Sequence, residues 1–178
     1  MLNQQRGIAL VEVLIAAVIV AIGLSGMGAL LLAAIQSTRD SSQTSQGMWI
    51  VQDYVGRIRA NSLAALNSEY VLSGGIDCAT PPNPMCANHS NSDGERVVPA
   101  DCSARQMAVF DQWNVVCGTD SSALDSAGEF LRSPTLSSVC SANDATTGFC
   151  TQYTVSLSWS TSHKNSKTSQ YSMVVEVE

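Results

Sequence analysis

The residues of this chain that could do chemistry fall into three sets. Gly7, Ile8 and Glu12 stand at the mouth of a long apolar run, with Glu12 its one acid. A cut after Gly7 would make Ile8 an amino terminus one helical turn from the Glu12 carboxylate, placing a cation and an anion at the end of an apolar helix. A carboxylate in such surroundings costs ~3 kcal/mol near a helix centre and should seek a positive partner, most obviously the amino terminus of a neighbouring like helix. Two unit charges about 4 Å apart attract by ~4 kcal/mol at an effective dielectric of ~20, so the pair would set the axial stagger between subunits.

The second set is Cys78, Cys86, Cys102, Cys117, Cys140 and Cys150, all beyond the apolar run and the helical pattern that follows it. An even number among Gly, Pro and Ser punctuation reads as a disulfide framework in an oxidising compartment such as the bacterial periplasm. Zinc is the competing reading, but no Cys-x-x-Cys pair occurs and His89 and His163 stand far apart in polar loops, so no metal site is expected. The third set is a scatter of serines with Asp120, Asp125 and His163. It contains no nucleophile elbow and no phosphate-cradling loop, and two acids fall short of the oxygens calcium needs, so neither an enzyme nor a cofactor is expected.

The elements that must position these residues begin with the run itself. Residues 13–35 are 23 positions without a charge, with Ser25 the only polar side chain, enough to cross a bilayer as a helix. A cleavable secretory signal would be shorter and free of an acid, and a plain anchor leaves Glu12 without a purpose. Beyond it, Ile50, Val51, Tyr54, Val55, Ile58 and Leu66 keep helical spacing, Asp53 and Arg57 are placed for an i,i+4 pair, and no proline interrupts residues 8–59. One helix of about 50 residues is the economical reading, with Gly23, Gly26, Gly28 and Gly47 marking either local bending or close packing by small residues.

The string Gly7-Ile-Ala-Leu-Val-Glu12-Val-Leu-Ile resembles the processing and methylation motif of type IV pilins and pseudopilins. The resemblance implies a leader over residues 1–7 removed by a prepilin peptidase, N-methylation of Ile8, and Glu12 guiding assembly. It further implies a membrane and assembly segment over residues 8–35 and a periplasmic head over residues 36–178. Ile8 departs from the family's usual phenylalanine, and the helix-kinking proline common in major pilins is missing, since the first proline is Pro81.

The remainder has room for one small head. Fifteen acids against nine bases give a formal charge of −6 and no basic patch for nucleic acid. Residues 103–116 look helical, with Asp101 as cap and Met107, Val109, Phe110, Trp113 and Val116 grouped on one side. Such a helix would hold Cys102 and Cys117 roughly 20 Å apart, past the ~7 Å limit for a bridge. Among the fifteen pairings that six cysteines allow, Cys140 with Cys150 is the first choice, because they bracket a turn-like stretch between strand-like ones. Tyr153, Val155, Leu157 and Trp159, then Tyr171, Met173, Val175 and Val177, alternate as an antiparallel hairpin around the loop at residues 161–167. The fold class is therefore α+β, a long N-terminal helix packed on an antiparallel sheet with disulfide-bonded loops.

Residues 52–61 (Gln-Asp-Tyr-Val-Gly-Arg-Ile-Arg-Ala-Asn), then Tyr70, Asp111, Trp113 and the stretch 155–159, are similar to the PilV group of minor pilins, the pilus-modification proteins. That resemblance implies an inner-membrane subunit carried into the pilus fibre, near its tip. Its partners would be other minor pilins, the major pilin and an adhesin-like protein, and its roles assembly initiation, twitching motility and adhesion. A minor pseudopilin of a type II secretion system and a membrane-anchored periplasmic binding module are the alternatives.

Overall fold

The apolar run and the amphipathic pattern behind it form one continuous helix, α1 (Arg6–Ala60, 55 residues), without a break at the glycines. The structure, a computed structural model, describes residues 6–90, 96–118, 126–161 and 168–177, and the backbone alone of residues 6–9, 89, 90, 96 and 97. The first five residues of the expected leader, Asp120, Asp125 and His163 lie outside the described residues, as does the side chain of His89. The chain divides into two compact units, Met1–Ser41 and Ser42–Glu178.

In the second unit a short helix, α2 (Ser62–Leu66), follows α1. A two-residue pair, β1 (His89–Ser90) and β2 (Arg96–Val97), precedes α3 (Ala104–Cys117) and the single turn α4 (Ala127–Phe130). Three strands close the chain: β3 (Thr135–Asn143), β4 (Cys150–Ser160) and β5 (Thr168–Glu176), antiparallel in the order β3-β4-β5.

The core forms where two periodicities meet. Ile50, Val51, Tyr54, Val55 and Ile58 make one stripe of α1, and every second residue of β4, from Tyr153 to Trp159, turns inward with them. Their register with β5 sets Tyr153 against Val175, Val155 against Met173 and Leu157 against Tyr171. Gly47 marks the closest approach, for a Cβ there would lie 2.8 Å from Cη2 and Cζ3 of the buried Trp159. The Tyr153 hydroxyl donates to the Ala65 carbonyl at 2.5 Å, fastening β4 to α2.

Three local expectations differ from the structure. Ser103, not Asp101, caps α3: its hydroxyl accepts from the Gln106 amide, and the Gln106 side chain accepts from the Ser103 amide. The inward face of α3 is Ala108, Phe110, Asp111, Val115 and Val116, while Val109 stays exposed. The third strand, β3, runs past Cys140 to Asn143, so the turn is confined to the residues before Phe149. There Asp144 accepts from the amides of Thr146 and Thr147, bonds that hold its carboxyl below the usual range, and Gly148 takes the positive φ that closes the turn.

All six cysteines are bonded: Cys78 with Cys117, Cys86 with Cys102 and Cys140 with Cys150. The first two anchor the loop-rich connection to the two ends of α3, and the third sits beside a register shift between β3 and β4.

Candidate functional site

Gly7, Ile8 and Glu12 occupy the first turns of α1, and from Leu10 the side chains of this unit are bare. Large apolar residues from Leu10 to Leu32 are 55% or more exposed, and a Cβ at Gly23, Gly26 or Gly28 would meet nothing within 4 Å. The one polar group inside the run is neutralised locally, because the Ser25 hydroxyl donates to the Ala21 carbonyl at 2.8 Å, and Thr38 does the same to Ala34 at 2.9 Å. Glu12, whose ionised carboxylate has no proton to donate, cannot bond to a helix carbonyl in this way. It is exposed and is the only charged side chain between Arg6 and Arg39. Apolar surface on this scale is stable only against lipid or other apolar helices, and an acid among it is costly unless it is paired, protonated or within reach of interfacial water.

The second feature lies in the head, where Arg57 of α1 joins three partners. Its Nε donates to Asp53 Oδ2 at 2.8 Å, and Nη1 donates to Asp111 Oδ1 at 3.2 Å and Asn114 Oδ1 at 2.8 Å. Tyr70 closes the node by donating to Asp111 Oδ2 at 2.5 Å while accepting from Asn61 Nδ2 at 3.2 Å. Asn61 Nδ2 also donates to the Ala104 carbonyl at 2.7 Å, and Tyr54 meets the Tyr70 ring edge-on at 5.9 Å. Helix α1, the segment after α2, and α3 are thereby locked together through polar groups satisfied by one another.

Burial sets the electrostatics here. It raises the Asp111 carboxyl above its ordinary range, outweighing the Tyr70 hydrogen bond and the Arg57 charge, which lower it. Burial likewise pushes the Tyr70 phenol up, and the Tyr70 bond to Asp111 pushes it further, so it stays protonated as a donor. The node holds no nucleophile with a base, and among the described residues no three His, Cys, Asp or Glu side chains gather to hold a metal. It is a clamp.

Of the residues singled out in the sequence, the structure brings Asp53, Arg57, Asn61, Tyr70 and Asp111 into this node, while Trp113 makes none of its bonds. Asn114 was missed, although it stands three residues after Asp111 on the same helix.

Two family matches adjoin along the chain. Residues 2–28 match the prokaryotic N-terminal methylation motif, and residues 29–113 match the Tt1218-like type IV pilins. No curated protein and no solved structure matches the chain.

Proposed function

Since the chain belongs to the type IV pilin family, we propose that it is a minor, PilV-type subunit that helps initiate a pilus. Pilins are structural proteins rather than catalysts, and the chain is membrane-anchored through α1. In this reading a prepilin peptidase cuts after Gly7 and methylates Ile8. The subunit waits in the inner membrane with its head in the periplasm, then joins other minor pilins and the major pilin near the fibre tip, beside an adhesin-like partner.

Glu12 carries the proposal. It is the only charge between Arg6 and Arg39, in the stretch of α1 whose large apolar side chains are exposed, so in this reading it pairs with a cation as the helix leaves lipid. The new amino terminus of a neighbouring pilin offers that cation at the same depth. Three disulfides support a head folded outside the reducing cytoplasm.

The test has two parts. Protein recovered from membranes should begin at Ile8 with a methylated amine, read by N-terminal sequencing and intact mass; a chain still beginning at Met1 would sink the reading. Glu12→Ala should leave insertion and head folding intact while the subunit disappears from sheared pili, measured by immunoblot against the membrane fraction. Deletion should abolish twitching and spare type II secretion; the reverse outcome would make it a pseudopilin.

A further inference from the structure

The two edges of the sheet are finished differently. At the β3 edge the ladder is broken by register shifts between Cys140 and Asn143, and Leu72 exchanges two backbone hydrogen bonds with Ser138, at 2.7 and 2.9 Å. A passing strand finds little to pair with there. At the opposite edge β5 is nine residues long, pairs with β4 from Thr168 to Glu176 without a shift, and carries a single charge, Glu176. Every second residue of such a strand points its N–H and C=O away from its partner, and none of the usual guards, a bulge, a proline or an inward charge, occurs along it. Among the described residues β4 is the only strand paired with β5.

The inner face at this edge is also unfinished. Tyr171 and Met173 pack on the core yet remain half-buried, whereas their β4 neighbours Leu157 and Val155 are fully covered. Where β5 ends, a cleft of about 330 Å³ lined by Arg59, Ser62, Glu176 and Val177 leaves space for one more side chain.

We propose that the β5 edge is a docking site for an extended segment of another protein, added as a fourth strand with apolar side chains at alternate positions over Tyr171 and Met173. The open ladder selects extended backbone, the half-covered pair selects the alternation, and the cleft fixes where the added strand ends. A second copy is the less suitable occupant. Two identical edges pair only about a two-fold axis, which closes a dimer, whereas subunits of a fibre meet through two unlike patches, and the other edge of this sheet is blocked. That preference for an unlike chain rests on the fibre subunit proposed above; the open ladder does not.

The probe is the blocked peptide acetyl-Lys-(Val-Thr)₄-Lys-amide, added to the full chain in detergent micelles, with amide exchange followed residue by residue. At about ten times its Kd the peptide should slow the outward amides of β5 by about tenfold, since protection scales as 1 + [L]/Kd. Those of β3 should not change. The same peptide N-methylated at every internal amide, which blocks both of its hydrogen-bonding edges, should give no protection, and Met173→Lys, checked for an intact fold by its circular dichroism, should abolish binding. Equal protection by the N-methylated peptide, protection on β3, slow exchange of the outward β5 amides in the peptide-free monomer, or a dimer in the peptide-free micelle would each overturn the proposal. None of these readouts depends on cleavage or assembly, so this idea and the pilus role fail separately.

Discussion

Replacing Arg57 by methionine separates charge from packing in the clamp between α1 and α3. Methionine keeps most of the apolar stem and removes the cation from Asp111, whose side chain is only 9% exposed. Stranding a buried carboxylate costs ~3 to 5 kcal/mol. The Arg57 side chain is 29% exposed, so water can replace part of its solvation of Asp111, and the cost is discounted to about 2 to 3 kcal/mol. The exposed pair with Asp53 adds only about 0.5 kcal/mol.

The penalty must also depend on pH, and its sign is fixed. Burial already holds the folded Asp111 above its unfolded value, and loss of Arg57 raises it further. A raised carboxylate is a burden above its folded pKa, and that burden is relieved as pH falls through the folded value toward the unfolded one. The gap between wild type and Arg57→Met should therefore be widest at neutral pH and narrow to about 1 kcal/mol near pH ~3. Urea titrations of the disulfide-intact protein, followed by fluorescence of the buried Trp159, give both numbers. A loss below about 1 kcal/mol at neutral pH, or a gap equal at the two pH values, would refute the assignment of Asp111 as a charge held by Arg57.

Gly47→Ala should destabilise despite gaining about 1 kcal/mol of helix propensity, because its methyl meets the Trp159 ring at 2.8 Å and overpacking costs ~1 to 3 kcal/mol. Gly56→Ala, with nothing within 4 Å, should raise the melting temperature instead, and thermal melts of the pair decide it. Paired Cys→Ala variants should rank by the loop each bridge closes, with separations of 39, 16 and 10 residues for Cys78–Cys117, Cys86–Cys102 and Cys140–Cys150. The expected losses are about 4, about 3 and just under ~3 kcal/mol on the chain-entropy account, read from urea midpoints. Ser103→Ala should cost about 1 kcal/mol and raise amide exchange in the first turn of α3 ahead of its last.

What could be read from the sequence was what repeats locally. The single helix through residue 60 and the hairpin of β4 and β5 declare themselves by a period of 3.6 or 2 sustained over many residues. The Asp53–Arg57 pair is likewise local, but its third partner Asp111 lies 54 residues away, and no spacing rule reaches that far. The inward phase of α3 was misjudged because a buried Asp111 and a small Ala108 occupy places where a hydrophobicity pattern looks for large apolar groups. The cap at Ser103 was legible and overlooked, for Ser103-Ala-Arg-Gln106 is a capping box as written. Strand β3 hides behind serines, since Ser138 is buried through its place in the sheet and not through its own chemistry.

The bare surface of α1 decides how such a subunit can be supplied. A molecule that keeps this much hydrocarbon uncovered has no dissolved reserve, so the traffic that feeds a growing structure is confined to a plane. Encounters then scale with copies per area of membrane rather than per volume of cell. A protein made in few copies can remain locally crowded there, provided it is never released into water on the way.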